Sequence, residues 1–194
     1  MRTGIRAVIA TLVFVTLTGL LYPLAMTAFA QATMSHDADG SLVERDGVAV
    51  GSSRIGQEWI GDQWFYGRPS AVDYDASTSS GTNLGPTSQP LSDDIAKRIS
   101  QILKLEGPYT RGLTAAQIPV DLLTASGSGL DPDISVEAAR FQAPRIASVR
   151  HLSVDQVQAL IDQHTTGKSL GFLGQPFVNV LGLNLALDAL APSS

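Results

Sequence analysis

The stretch AVIATLVFVTLTGLLYPLAMTAFA, residues 7–30, decides how this chain is organised. It lies inside a run of 30 residues, between Arg6 and Asp37, that carries no formal charge. As an α-helix, its 24 residues would measure about 36 Å, enough to cross a hydrocarbon core of about 30 Å with some tilt. We therefore predict a single transmembrane helix here, with a kink or an early end at Tyr22-Pro23 because proline removes a backbone hydrogen bond.

A cleaved signal peptide is the competing interpretation of the same stretch. Ala28-Phe29-Ala30 resembles an A-x-A cleavage site, and cleavage near Ala30 would release a secreted binding protein. The apolar run is longer than the roughly 7–15 residues of a signal-peptide core, so a retained anchor is favoured.

One face of the predicted span suits packing against another membrane helix. Small and hydroxylated side chains let helices approach closely and form hydrogen bonds in lipid. Four residues share this face at helical spacing, with the small Gly19 beside them: Thr11, Val15, Thr18 and Tyr22.

The flanking charges predict the orientation of the span in the bacterial inner membrane. Arg2 and Arg6 precede it, whereas acidic residues follow it and the first basic residue afterwards is Arg45. The positive-inside rule places residues 1–6 in the cytoplasm and the rest of a single-pass protein outside it. Residues 31–194 hold 11 basic and 18 acidic side chains, a net charge of −7 that is typical of a soluble extracytoplasmic domain.

Composition excludes several classes of function. The 194 residues include no cysteine, which rules out thiol nucleophiles, disulfides and cysteine-ligated metal centres. A net charge of −5 offers no basic face for nucleic acid. His36, His151 and His164 show no metal-binding spacing, so we predict no metal site and expect all three at the surface.

Beyond the span, composition marks the main segments of the chain. Residues 31–53 form a polar juxtamembrane segment with a turn signal at Asp46-Gly47. Both tryptophans lie within residues 54–66, which we expect to form a core or interface element. Residues 67–90 are dense in Ser, Thr, Gly, Asn and Pro and predict a long loop.

Residues 54–194 are predicted to form one domain of mixed helix and strand, an α+β fold. Apolar spacing indicates helices over 92–105 and 135–149, and a third that opens with a capping box at 153–156. The segment VLGLNLALD, residues 180–188, alternates leucine with smaller or polar residues, which favours a strand.

Motifs that imitate ligand sites fail on inspection. Residues 167–169 (GKS) resemble the end of a phosphate loop, but Asp162 stands where its first glycine belongs, so Gly167 is better explained as a helix C-cap. Residues 131–137 resemble a calcium loop but lack its glycine and final glutamate, so a helix start with Pro132 in the first turn is favoured. No nucleophile motif is present, and we predict no catalytic residue. A membrane-tethered envelope enzyme is therefore a disfavoured alternative.

Two glycine- and serine-rich loops are the candidate functional segments: RPSAVDYDASTSSGTNLGP (68–86) and ASGSGLDPDIS (125–135). Their glycines permit close backbone approach, and their hydroxyls and amides offer uncharged hydrogen-bonding groups. Considered alone, they would be ordinary ordered loops. The residues we single out in them are Arg68, Ser79, Ser80, Gly81, Asn83, Gly85, Ser126, Gly127, Gly129 and Asp131.

Several blocks of the chain, taken together and in order, match a known family. They are LLYPL (20–24), GSSRIGQ (51–57), WFYGRPSAVDY (64–74), SSGTNLGP (79–86), DLLTASGSGLDPDIS (121–135), RIASVR (145–150) and VNVLGLNLALD (178–188). On these blocks the chain resembles the C subunit of the bacterial Kdp potassium-transporting P-type ATPase. Departures are small: Thr82, Asp133 and Gly182 stand where the family often has serine, histidine and an acidic residue.

This resemblance implies an accessory, non-hydrolysing subunit of a high-affinity, ATP-driven potassium import pump. It implies two partners, a potassium-translocating subunit and a P-type subunit that hydrolyses ATP, with ATP, Mg²⁺ and K⁺ handled through the complex. The family is described as a catalytic chaperone that raises the ATP affinity of the hydrolysing subunit, which makes the two loops interface or nucleotide-linked candidates. The residues agree, because the chain has no DKTGT phosphorylation motif and its single span has no ionisable residue to line an ion pathway.

Overall fold

The computed structural model describes residues 2–191, and Met1 and residues 192–194 lie outside the described part. The outer ends of two predicted segments, 1–6 and 54–194, fall on those residues. Within the described part the chain divides into two compact units, which are taken in turn below.

The first unit, which ends at Val50, is dominated by one long apolar helix. Helix α1 (Arg2–Thr16) continues through a π-turn (Leu17–Leu21) into helix α2 (Tyr22–Ala38). This 37-residue helix is the one in the described part that is long and apolar enough to cross a membrane, with a mean hydropathy of 2.1 in its most apolar window. The predicted span, residues 7–30, lies within it.

The helix continues past Tyr22-Pro23, so an early end at this point is wrong. The irregularity here is the π-turn, in which the Tyr22 N–H donates to the Leu17 carbonyl five residues earlier. The backbone leaves helical geometry further on, at Met34, where φ is −149° and ψ is 50°.

The π-turn changes the predicted packing face. Thr11, Val15 and Thr18 precede or begin the turn and keep their helical spacing. A π-turn inserts one residue, which rotates all later positions by about 100° around the axis. Tyr22 is therefore turned away from the other three residues.

A hairpin completes the predicted juxtamembrane segment, residues 31–53, whose first residues finish α2. Strands β1 (Leu42–Arg45) and β2 (Val48–Ser52) form a two-stranded sheet. The turn predicted at Asp46-Gly47 is confirmed, and both residues have the positive φ, 53° and 76°, that a tight hairpin turn requires.

The second unit has the predicted α+β composition. Its sheet is antiparallel, in the order β3 (Asp133–Ser135), β5 (Phe177–Asn179), β4 (Thr165–Thr166). Ile134 of β3 lies opposite Val178 of β5, and both side chains are buried.

All three helices predicted in this unit are confirmed. Its helices are α3 (Gln89–Glu106), α4 (Val120–Leu123), α5 (Val136–Val149), α6 (Val154–Gln163) and α7 (Val180–Leu190), with a 3₁₀ turn at Ala115–Gln117. The predicted capping box of α6 has formed. Ser153 Oγ accepts from the Gln156 N–H at 3.1 Å, and Gln156 Oε1 accepts from the Ser153 N–H at 2.8 Å.

The core of this unit lies where α5, α6 and α7 meet the sheet and residues 54–66, which we call the aromatic segment. Phe65, from that segment, is fully buried in it, which confirms a core role for part of residues 54–66. The neighbouring Trp59 and Trp64 rings lie 5.0 Å apart and are only partly buried. Helical residues with no exposed surface complete the core: Ala138, Ala139, Ala143, Ile146, Val157, Ile161, Leu183 and Leu187.

The strand predicted over residues 180–188 is wrong, because these residues form α7. Asn179 caps the helix, its Oδ1 accepting from the Gly182 N–H at 3.0 Å. Alternating leucines imitate a strand here because α7 is buried on most of its circumference: Leu183 and Leu187 on one side, Leu181 on the other.

Two predicted helix boundaries are also wrong. Pro132 precedes β3 rather than a helix, and α5 starts only after Ser135, whose Oγ accepts from the Ala138 N–H at 2.9 Å. Helix α6 ends with His164 as its C-cap, so Gly167 is not a cap and instead follows strand β4.

Candidate functional site

The two glycine- and serine-rich loops lie against each other, and we call residues 68–86 and 125–135 the paired loops. Ser80 donates its N–H to the Ser128 carbonyl at 3.0 Å. The Ser79 hydroxyl donates to the same carbonyl at 3.2 Å. One loop thus forms backbone hydrogen bonds with the other across about 50 residues of sequence.

Hydroxyl side chains strengthen this contact from inside. Ser70 donates its hydroxyl to the Gly129 carbonyl at 2.6 Å, and the Ser126 N–H donates to the Pro69 carbonyl at 3.1 Å. Ser126, which is almost fully buried, also accepts from the Gly129 N–H at 2.9 Å. The Ser70 hydroxyl therefore joins the two loops, whereas the Ser126 hydroxyl braces the second loop from within.

An ion pair and a half-buried tyrosine fix the base of the paired loops. Arg68 Nη1 lies 3.1 Å from Asp131 Oδ2, and about a quarter of each side chain is exposed. The Tyr74 hydroxyl donates to the Arg68 carbonyl. Burial, with a smaller contribution from the Asp131 charge, raises the pKa of Tyr74 to about 12. The phenol is therefore a neutral hydrogen-bond donor at physiological pH.

Close backbone approach was predicted for these glycines, and it occurs within the chain itself. Gly129 is buried with φ at +69°, and a Cβ there would lie 2.8 Å from the Ser80 carbonyl oxygen. A Cβ on Gly81 would lie 3.2 Å from the Gly127 carbonyl oxygen. Gly127 is exposed, by contrast, with open space around its Cβ position.

The outer surface of the paired loops carries small uncharged residues together with two exposed carboxylates, Asp73 and Asp75. Asn83, in left-handed geometry with φ at +54°, and Gly85 are exposed, and no described hydrogen bond joins either to the second loop. Ser79 of the first loop and Gly127 and Ser128 of the second loop are also exposed. Eight of the ten residues singled out from the sequence thus belong to the contact between the loops or to its ion pair. Asn83 and Gly85 do not.

Sequence reasoning missed the buried arginines that anchor the segment leading into the paired loops. Arg145, with no exposed surface, donates from Nε to Glu106 Oε1 at 2.8 Å and from Nη1 to the carbonyls of Asp62 and Trp64. Its guanidinium also lies over the Tyr66 ring, 4.9 Å from the centroid. Burial raises the pKa of Glu106, and the Arg145 charge opposes that rise.

Arg150, the C-cap of α5, holds the same segment. It donates to the Gln63 carbonyl at 3.1 Å and the Ala191 carbonyl at 2.7 Å, and Nη1 lies 3.2 Å from Asp188 Oδ1. Its guanidinium stacks over the Trp64 ring, 4.4 Å from the centroid. The RIASVR block at 145–150 was the available sign in the sequence, although nothing in it names the partners.

Two buried side-chain amides also hold this segment. Each bonds both the N–H and the carbonyl of one residue, as a neighbouring strand would. Asn184 accepts from the Phe65 N–H at 2.9 Å and donates to the Phe65 carbonyl at 3.0 Å. Gln142 does the same for Tyr66, at 2.8 and 3.1 Å. The aromatic segment, which has no regular secondary structure, thereby satisfies its backbone groups and delivers Arg68 to the paired loops.

The contact between the paired loops is built from hydrogen bonds and one ion pair. Across residues 2–191, no group of three or more His, Asp or Glu side chains could hold a metal ion. His36 and His151 are exposed as predicted, whereas His164 is half-buried with Nδ1 2.9 Å from the Leu160 carbonyl oxygen. Lys168 and Ser169 are exposed beyond β4.

Fold and site together define a class: a protein with one apolar N-terminal helix long enough to cross a membrane, followed by an α+β domain with a backbone-rich loop surface. A family model described as "K+-transporting ATPase, c chain" matches residues 4–189, and the chain belongs to that family. It is therefore a subunit of a K+-transporting ATPase.

Relatives of this chain carry the same description over nearly their full length. A protein of Methylobacterium nodulans named "Potassium-transporting ATPase KdpC subunit" is 50% identical over 189 residues, 90% of both chains. A protein of the same name from Rhodopseudomonas palustris is 48% identical, covering 97% of this chain and 98% of its own. One from Mycobacterium bovis is 47% identical, covering 97% and 99%.

Proposed function

We propose that this chain is an accessory, non-hydrolysing subunit that docks on the other subunits of a high-affinity, ATP-driven potassium import pump and aids its assembly. The observation that supports this most strongly is the construction of the paired loops. The buried and half-buried polar side chains Arg68, Ser70 and Ser126 are committed to internal contacts. Among the exposed residues, Asn83, Gly85, Gly127 and Ser128 are small and uncharged, which suits close contact with another chain.

The partners are a potassium-translocating subunit and a P-type subunit that hydrolyses ATP. ATP, Mg²⁺ and K⁺ are then handled through the complex rather than bound by this chain. The sequence supports this division, because it has no DKTGT motif and Asp162 stands in place of the first phosphate-loop glycine.

The anchor is retained in the inner membrane, with residues 1–6 in the cytoplasm and residues 31–194 outside. Arg2 and Arg6 before the span support this orientation. Since ATP is cytoplasmic, a catalytic-chaperone effect on ATP affinity is transmitted through the partners, with a coupling free energy of about 1–3 kcal/mol.

Protease added to intact spheroplasts tests this orientation. It should digest residues 37–194, and full protection of that region would contradict the topology.

Reconstitution tests the accessory role. The purified chain alone should hydrolyse no ATP, and a complex lacking it should show weaker potassium-stimulated hydrolysis with a higher KM for ATP. Adding the chain back should restore both values. Lys168→Ala is the matched control and should restore them equally well, whereas turnover by the chain alone that this substitution abolishes would show a phosphate site at residues 167–169.

A further inference from the structure

The apolar helix contains an irregularity that the proposed accessory role does not explain. Between α1 and α2 the backbone forms the π-turn Leu17–Leu21. Such turns are rare and often lie at functional positions. This one lies at the middle of the apolar stretch 7–30, about 17 Å from either end at 1.5 Å per residue.

Within this turn the Thr18 carbonyl loses the two donors, at residues 22 and 23, that α- and π-helical geometry would supply. Its α-helical donor, the Tyr22 N–H, is used by the Leu17 carbonyl. The next residue that could donate is Pro23, which has no N–H. The Thr18 hydroxyl is directed backwards and donates to the Phe14 carbonyl at 2.7 Å.

The surroundings leave this carbonyl accessible from outside the helix. Gly19, the next residue, has no side chain, and apart from its chain neighbours and the adjacent helix backbone no atom lies within 4 Å of the position its Cβ would take. Every side chain of the π-turn is exposed in the isolated chain. A neighbouring helix could therefore approach at this level.

Hydrocarbon supplies no donor, and an unpaired carbonyl at the middle of a bilayer is costly. A side chain of another membrane helix is the donor that complements it. We propose that the Thr18 carbonyl accepts a hydrogen bond from a transmembrane helix of another subunit of the ATPase, from a side chain with a hydroxyl or amide N–H. The inference rests on the proposed function, because it requires a retained anchor and an assembled complex.

Two substitutions in the full chain, co-expressed with the other subunits, test the proposal. Gly19→Leu covers the carbonyl while leaving Pro23 in place, and Pro23→Ala restores the missing N–H. Matched controls are Gly4→Leu, a glycine of the same helix with equally open space, and Thr27→Ala, which removes a hydroxyl bonded to the Pro23 carbonyl. The measurement is the amount of partner subunit retained on the tagged chain after detergent extraction, for variants shown to reside in the membrane fraction.

Both test variants should retain about three- to fifteen-fold less partner, and both controls should stay within about twofold of the unaltered chain. Equal retention by all four variants, or equal loss with Gly4→Leu, would overturn the hydrogen bond while leaving the accessory role standing. If the unaltered chain retained no partner, both proposals would fail. Selective loss of a second, differently tagged copy of this chain would instead show that the carbonyl serves self-association.

Discussion

At the scale of the residue, Gly129 decides whether the paired loops can close. Its φ of +69° disfavours any side chain, and a Cβ there would lie 2.8 Å from the Ser80 carbonyl oxygen. Gly129→Val should lower the free energy of unfolding of the purified chain by about 2–4 kcal/mol, from backbone strain and overpacking together. Urea unfolding measures this change.

The matched control lies two residues away in the same loop. Gly127 is exposed with no atom near its Cβ position, so Gly127→Val should stay within about 0.5 kcal/mol of the unaltered chain. Equal losses from the two substitutions would contradict the loop geometry.

Tyr74 makes the stability of the paired loops sensitive to alkaline pH. Burial raises its pKa to about 12, whereas an unfolded tyrosine titrates near 10. The folded state therefore holds the proton more tightly, so this contribution is intact below about pH 10 and is lost as the pH rises towards 12.

Tyr74→Phe should remove that alkaline loss. It should also lower the free energy of unfolding at neutral pH by about 1 kcal/mol, because the hydrogen bond to the Arg68 carbonyl disappears. When unfolding free energies are measured from pH 7 to 12, that of the unaltered chain should fall relative to that of Tyr74→Phe above about pH 10, and its advantage should disappear before pH 12. Parallel curves would show that Tyr74 does not titrate as described.

At the scale of the element, helix α7 depends on a side chain outside it. Asn179 caps the helix through Gly182 and also donates to the Ser53 carbonyl at 3.1 Å and to Asp133 Oδ1 at 3.0 Å. Asn179→Ala should lower the free energy of unfolding by about 2–3 kcal/mol, more than a cap alone provides.

Ser153→Ala, which removes only the cap of α6, provides the comparison at about 1 kcal/mol. Thermal or urea unfolding of both variants measures the two losses in unfolding free energy. A loss at Asn179 no larger than at Ser153 would mean that its two outward hydrogen bonds contribute nothing.

Sequence patterns predicted the helices that have one buried and one exposed face. They failed for the helix that is buried on most of its sides. Helices α5 and α6 were predictable from capping residues and one apolar face, and the paired loops from their glycines and hydroxyls. Helix α7 was not, because burial on most sides removes the helical period. Arg145 and Arg150 were missed because buried polar residues are recognisable only through partners about 40–90 residues away. The π-turn depends on hydrogen bonding around Pro23, which composition does not express.

At the scale of the whole molecule, the domain is a rigid support for one surface. Arg145, Arg150, Gln142 and Asn184 fasten an aromatic segment without secondary structure, and that segment leads directly to Arg68 and the paired loops. Glu106 Oε2 and Arg150 Nη2 are buried without a hydrogen-bond partner, so this network is only partly satisfied. Its bonds to backbone carbonyls nevertheless hold the segment before the paired loops, and a loop surface held in one shape loses less entropy on docking.

Retention of partner subunits by surface variants tests the central claim most directly. Gly127→Leu and Gly85→Leu add bulk on the paired loops where the domain has open space, and Gly167→Leu adds the same bulk elsewhere on it. After extraction of the co-expressed complex, the first two should retain about tenfold less partner and the third should match the unaltered chain, with all three equally folded. Full retention by both loop variants, or equal loss by all three, would contradict docking through the paired loops.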